Sequence, residues 1–190
     1  MTKAIIFDLN GVFIKSEKLS DRFARDFDVS QSKFMPALES ILDIVRRPGA
    51  GDLYSYWISH LTDWGINLNR QEFYDYWFGA EKEDKEIINL AMNLKDKGIK
   101  IIILSNNFKE RTEYYLKNFQ FLKILPDKIY FSWQTGFLKS DPRAYQQVLL
   151  ENNLKPEEVM FFDDSDKNTE VAKSLGIVAR KFDGLSSVVL

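Results

Sequence analysis

The sequence predicts an α/β protein: a parallel sheet with helices on both faces and a helical segment inserted after the first strand. Three observations lead there. The short apolar runs Ala4-Ile5-Ile6-Phe7, Ile101-Ile102-Ile103-Leu104 and Val159-Met160-Phe161-Phe162 have the composition of strands buried on both faces. Beyond residue 80 such runs alternate with amphipathic helical segments, the rhythm of a parallel sheet. From about 16 to 80 that rhythm stops, and apolar residues recur at three- and four-residue spacing with no competing strand alternation.

Residues 3–8 form the first strand. In the insertion Phe23, Phe27, Phe34, Leu38, Ile41, Leu42 and Val45 carry the helical spacing, and Pro48-Gly49-Ala50-Gly51 punctuates its middle. Its rings (Tyr54, Tyr56, Trp57, Trp64, Phe73, Tyr74, Tyr76, Trp77 and Phe78) are expected to pack a small helical core, with one or two available to line a pocket. Residues 84–97 form a helix stopped by Gly98. Strand 100–104, a helix near 109–118 and a strand near 128–132 follow. A helix near 141–152 has Asp141 as N-cap and Pro142 in its first position. Strand 159–162, a helix near 166–175 closed by Gly176, and strand 177–180 complete the chain. The organisation is a core of residues 1–15 and 81–190 with a helical cap of residues 16–80.

Composition narrows the function. Of 190 residues, 45% are hydrophobic and 28% charged, a globular profile. A formal net charge of −2 and no basic run argue against a nucleic-acid partner. No signal-peptide pattern and no apolar run of membrane-spanning length point to a cytoplasmic protein without a membrane partner. The lack of cysteine removes disulfides and thiolate metal sites. His60, the one histidine, argues against a multi-His centre, and a Ser-His-Asp triad would have to use it. Monomer and homodimer both remain open.

The strand ends carry the chemistry. In an open parallel sheet, ligands bind beyond the carboxyl ends of the strands. Asp8 ends the first run, and there a carboxylate serves as nucleophile, metal ligand or helix cap. Asp163-Asp164 end the third run; adjacent carboxylates repel unless a cation or donors neutralise them. A hard divalent ion such as Mg²⁺ suits them, and favours sites completed by phosphate. Ser105-Asn106-Asn107 precede a helix, whose N-terminus attracts anions. Lys139 stands in a loop ahead of Asp141-Pro142. Nucleophile, metal carboxylates, phosphate donors and a counter-cation are the parts of metal-assisted phosphoryl transfer.

These residues resemble the haloacid dehalogenase-like hydrolase superfamily over essentially the whole chain. Phe7-Asp8-Leu9-Asn10-Gly11-Val12 resembles its first motif and Leu104-Ser105-Asn106 its second. Lys139 with Asp141-Pro142-Arg143 and Tyr145 resembles the third, and Phe161-Phe162-Asp163-Asp164-Ser165 with Asn168 and Gly176-Ile177 the fourth. The stretch from Ile129 to Ile177 is similar to small bacterial sugar-phosphate phosphatases, including those of α-D-glucose 1-phosphate. The resemblance implies a three-layer Rossmann-like parallel sheet core with an inserted α-helical cap. It implies a Mg²⁺-dependent phosphomonoester hydrolase acting on a small phosphorylated metabolite. Asp8 would attack phosphorus and form an aspartyl-phosphate that water hydrolyses. Asp8, the backbone carbonyl of Asn10, Asp164 and, directly or through water, Asp163 would hold Mg²⁺. Ser105, Asn106 and Lys139 would bind the phosphoryl group, and the cap would exclude water and read the leaving group.

Two positions depart from the family pattern. Ser140 replaces the proline that commonly follows the motif lysine. Asn10 replaces a second Asp that serves as general acid and base, a role worth about 10²–10⁴-fold. The natural substrate could need less protonation of its leaving group. Alternatively the chain is an engineered Asp→Asn trap of a phosphatase, or a non-catalytic protein that binds a ligand or partner. A metal-free 2-haloacid dehalogenase leaves the Asp163-Asp164 pair unexplained. A receiver domain would place its acid pair after the first strand and would have no cap. Arg46, Arg47, Trp57 and Trp77 are candidate substrate contacts in the insertion, with packing and solvated charge the favoured reading.

Overall fold

The computed structural model describes residues 1–188. Residues 189–190, which the sequence reading assigns to the core, lie outside them. The first apolar run forms β1 (Ala4–Phe7), and a two-residue strand β2 (Ile14–Lys15) leads into four helices: α1 (Leu19–Phe27), α2 (Gln31–Val45), α3 (Leu53–Asp63) and α4 (Arg70–Phe78). Strand β3 (Lys82–Glu83) pairs antiparallel with β2, so the insertion leaves beside the strand through which it enters. Then come α5 (Lys85–Asp96), β4 (Lys100–Ser105), α6 (Lys109–Asn118), the short α7 (Phe121–Ile124), β5 (Lys128–Phe131) and the short α8 (Ser132–Thr135). The chain continues with α9 (Pro142–Glu151), β6 (Val159–Asp163), α10 (Asp166–Ser174) and β7 (Val178–Lys181).

Among the described residues the main sheet has five strands in the order β5-β4-β1-β6-β7, all parallel. Alternation along each strand sorts side chains to two faces. Ile5, Phe7, Ile101, Ile103, Met160 and Phe162 meet Ile87, Ala91 and Leu94 of α5 on one face. Ala4, Ile6, Ile102, Leu104, Val159 and Phe161 meet Ala144, Tyr145 and Val148 of α9 and Ala172 of α10 on the other. The apolar runs are unbroken because both faces are covered.

Helix ends follow local chemistry. Asp84 caps α5 by accepting from the amides of Glu86 and Ile87, and Asp141 caps α9 from Arg143 ahead of Pro142. The insertion has its own core, in which Phe23, Phe34, Leu53, Trp57, Leu61 and Phe73 are fully buried. Phe108, at the start of α6, joins that core and ties the insertion to the sheet side. The rings therefore serve packing, as expected. No described helix is long and apolar enough to cross a membrane.

Candidate active site

The central position of β1 decides which strand ends converge. Its register sets Phe7 level with Ile103 of β4 and Phe162 of β6, so Asp8 emerges level with Asp163. The Asp8 amide donates to the carbonyl of Phe162 at 2.9 Å, which fixes the turn out of the sheet. That turn is tight: Gly11 donates to the carbonyl of Ile14 at 2.8 Å, and both Phe13 and Ile14 donate back to that of Leu9. Gly11 has φ +89°, and a Cβ there would stand inside the carboxylate of Asp164. Only glycine lets Asp164 lean over the nucleophile loop.

Lys139 links the two strand ends. Its side chain is 2% exposed, and Nζ lies 2.7 Å from Asp8 Oδ1 and 2.6 Å from Asp163 Oδ2. Its backbone amide donates to Oδ1 of Asn106 at 2.8 Å, so the β4 loop holds the lysine in place. Burial opposes the ammonium charge, but Asp8 and Asp163 outweigh it and hold Lys139 above the ordinary lysine range. Burial pushes the Asp8 carboxyl up to about 6, with Lys139 pulling down and Asp163 pushing further up. Asp8 Oδ1 also accepts the amide of Leu9 at 2.7 Å, whereas no donor among the described residues reaches Oδ2.

Asp163 is saturated. Besides Lys139 it accepts from the amide of Ser165 at 2.8 Å and from Asn168 Nδ2 at 3.0 and 3.2 Å. Asp164 is exposed at the rim, its pKa raised by burial of the carboxyl and then by Asp163. One ligand oxygen from each of Asp8, Asp163 and Asp164 lies within 4.8 Å of the others. An all-oxygen donor set of this size suits a hard divalent cation, and the space that Gly11 leaves for Asp164 completes the fit.

A cavity of about 320 Å³ opens here. Asp8, Asn10, Asn106, Lys139 and Asp164 line it, together with Ser165 and Asn168. Two walls come from residues without a motif: Arg46, just past α2, and Arg111 of α6. Arg111 donates Nε and Nη2 to Oε1 of the buried Glu81. The reading of Arg46 as packing or solvated charge is therefore corrected, because the end of α2 turns it into the cavity. Arg47 stays exposed and bonds the carbonyl of Asp43, and Trp57 is core. Trp77 packs in the insertion core and touches a neighbouring cavity. His60 packs on Trp57 and Trp64, away from the cavity with Asp8.

Ser105 ends β4 beside Asn106. It is 1% exposed, does not line the cavity, and its hydroxyl has no hydrogen-bond partner among the described residues. Asn10 is held on both sides: Nδ2 donates to Tyr115 Oη at 2.6 Å, and Oδ1 accepts from Asn107 Nδ2 at 3.0 Å. Spacing gave one available sign of Arg111: it lies one turn before Tyr115 on the same face of α6.

A family model of haloacid dehalogenase-like hydrolases matches residues 2–176. The chain belongs to this family. Among curated relatives of this haloacid dehalogenase-like hydrolase, rat bifunctional epoxide hydrolase 2 is 29% identical over 115 residues, 59% of this chain. The aligned part is only 21% of that protein's own length. A phosphorylated carbohydrates phosphatase of Thermotoga maritima is 28% identical over 182 residues, 92% of this chain and 82% of the relative. A haloacid dehalogenase-family enzyme of Bacteroides thetaiotaomicron, solved with magnesium and inorganic phosphate, superposes with a TM-score of 0.79. The two are 22% identical, and the match covers 95% of this chain and 94% of that one; the likeness is one of fold.

Proposed function

We propose that the chain is a Mg²⁺-dependent phosphomonoesterase acting on a small phosphorylated metabolite, with sugar phosphates the first class to try. The carrying observation is Asp8: a buried carboxylate at the end of the central strand, one oxygen tied to Lys139 and Leu9, the other open to a cavity. The magnesium and phosphate bound by the Bacteroides neighbour and the name of the Thermotoga relative support this reading.

Asp8, Asp164 and the Asn10 carbonyl would hold the cation, with Asp163 acting behind them as anchor for Lys139. The bound cation would supply positive charge against the phosphoryl oxygens. Asp8 Oδ2 attacks phosphorus as the bond to the ester oxygen breaks, the alcohol departing with a proton taken from solvent, and water then hydrolyses the aspartyl-phosphate to inorganic phosphate and the Asp8 carboxylate. Lys139 holds Asp8 in orientation and offsets charge as it develops on the phosphoryl group. Asn106 lines the cavity, whereas Ser105, whose buried hydroxyl has no partner among the described residues, would reach a phosphoryl oxygen only if the loop after β4 shifted. Helices α1–α4, residues 16–80, act as the cap, and a cytoplasmic setting suits a chain without cysteine.

Asn10 carries the second reading, a protein that binds a phosphorylated ligand without turning it over. Its amide is bonded to Tyr115 and Asn107, and it cannot exchange a proton at neutral pH. The deciding experiment is Mg²⁺-dependent phosphate release across a panel of sugar phosphates and other metabolite esters, with Asp8→Ala as blank. Release above the blank establishes the phosphatase. Tight phosphate binding with no release selects the binding protein.

A further inference from the structure

The cavity holds a cation that the proposed phosphoryl chemistry does not use. Lys139 is consumed by Asp8 and Asp163. Arg111 gives two nitrogens to Glu81. Arg22, another buried arginine of the insertion, donates to the carbonyls of Tyr76 and Trp77. Arg46 differs from all three. Among the described residues no carboxylate lies within ion-pair distance of it, and its buried Nε has no hydrogen-bond partner. A buried guanidinium nitrogen without an acceptor is costly, so such a group is retained where a ligand supplies the acceptor.

Arg46 also stands near Arg111. Burial lowers the pKa of Arg46 first, and Arg111 lowers it further. Arg111 is paired with Glu81, whereas Arg46 feels Asp8 and Asp43 only through space, and a guanidinium on a cavity wall without a carboxylate partner matches an anion better than a polyol. Their location says which anion. Asp8 lies at the end of β1 and Lys139 in the loop before α9, whereas Arg46 comes from the insertion. In an in-line displacement the leaving group departs on the side away from the nucleophile. The insertion is the element that faces it.

We propose that Arg46, backed by Arg111, binds a second anionic group on the leaving-group side, so that the preferred substrates are phosphomonoesters bearing a further carboxylate or phosphoryl group. The proposal rests on the phosphatase reading for its substrate, but the site can be tested without turnover. An acidic group here meets a planar fork of donors whose buried Nε lacks an acceptor, so a charge-assisted pair discriminates strongly.

The experiment uses three matched three-carbon phosphate esters whose far end is a hydroxyl, a carboxylate or a second phosphate. Wild type is expected to favour the acidic esters over the hydroxyl ester by about tenfold or more in kcat/KM, mostly through KM. Arg46→Gln is expected to reduce that ratio to within about threefold, and Arg46→Lys, which keeps the charge but not the planar fork, to give an intermediate ratio. The carboxylate and phosphate arms identify which anion is read. An equal loss on all three esters in Arg46→Gln, or no preference in wild type, overturns the proposal. Where no ester is hydrolysed, calorimetric binding of 3-phosphonopropionate against propylphosphonate in Mg²⁺ decides. Tighter binding of the former, lost in Arg46→Gln, upholds the anion site while the phosphatase reading fails. Equal binding of the two overturns it.

Discussion

Lys139 Nζ and the Leu9 amide both contact the same oxygen of Asp8, each at 2.7 Å. The carboxylate is thereby made asymmetric, with one oxygen held by the protein and the other facing the cavity. Lys139 is a structural counter-ion as well as a catalytic candidate, since it bridges Asp8 to Asp163 in a nearly solvent-free position.

Replacing Lys139 with Met should leave two buried carboxylates without their cation. Losing one partner of a buried ion pair costs about 3–5 kcal/mol. Urea unfolding in EDTA should show a loss of that order, and excess Mg²⁺ should restore part of it by neutralising Asp8. An unchanged midpoint would show that the pair is not what holds these strand ends together.

Asp8 must be ionised to attack, and burial raises its pKa to about 6. Below that pH the acid is neutral, so kcat/KM should fall about tenfold per pH unit on the acid side. Raising Mg²⁺ should move this limb to lower pH, because a cation favours the carboxylate. Stability follows the opposite sense. The folded pKa lies above the unfolded value of 3.8, so Asp8's contribution is full below about 4 and lost as pH rises through about 6. In EDTA, Asp8→Asn should therefore gain up to about 3 kcal/mol relative to wild type between pH 4 and pH 7. A pH-independent difference would refute the raised pKa.

Asn10→Asp tests the missing acid. An Asp there can accept from Asn107 and, once the phenol turns, from Tyr115, so the side chain should keep its position. Turnover of alkyl phosphates, which need a protonated leaving group, should rise by about 10²–10⁴-fold. Turnover of p-nitrophenyl phosphate, whose leaving group needs none, should rise far less. Equal gains on both would sink the acid–base account.

Gly11→Ala should act on the cation. The new methyl displaces Asp164 and the positive φ adds about 1–2 kcal/mol of backbone strain. The Mg²⁺ concentration for half-maximal activity should rise by at least about tenfold, as for the loss of a metal-orienting group. Titration of phosphate release against Mg²⁺ measures it.

The centre of the sheet and the acidic half of the site were legible because β1, β4 and β6 carry unbroken apolar runs that lead into polar residues. Asp141, Gly98 and Gly176 marked helix ends for equally local reasons. The β2–β3 ribbon was not legible, since two-residue strands are shorter than any periodicity. Arg46 and Glu81 sit far in the chain from Asn107, Arg111 and Tyr115, and the groups meet only through packing.

The paired strands β2 and β3 make the neck of the insertion a double one. Ile14 faces Glu83 and Lys15 faces Lys82, and the ribbon is pinned by the Asp84 amide on the carbonyl of Phe13 at 2.8 Å and by Lys15 on Asp84 at 2.6 Å. Two crosslinked struts resist twisting about the chain direction and bend most readily about one axis, like a door on two pins. One strut begins only a few residues past Asp8. The insertion that carries Arg46 and the loop that carries Asp8 are therefore joined through one short ribbon, so a displacement of either would be transmitted to the other.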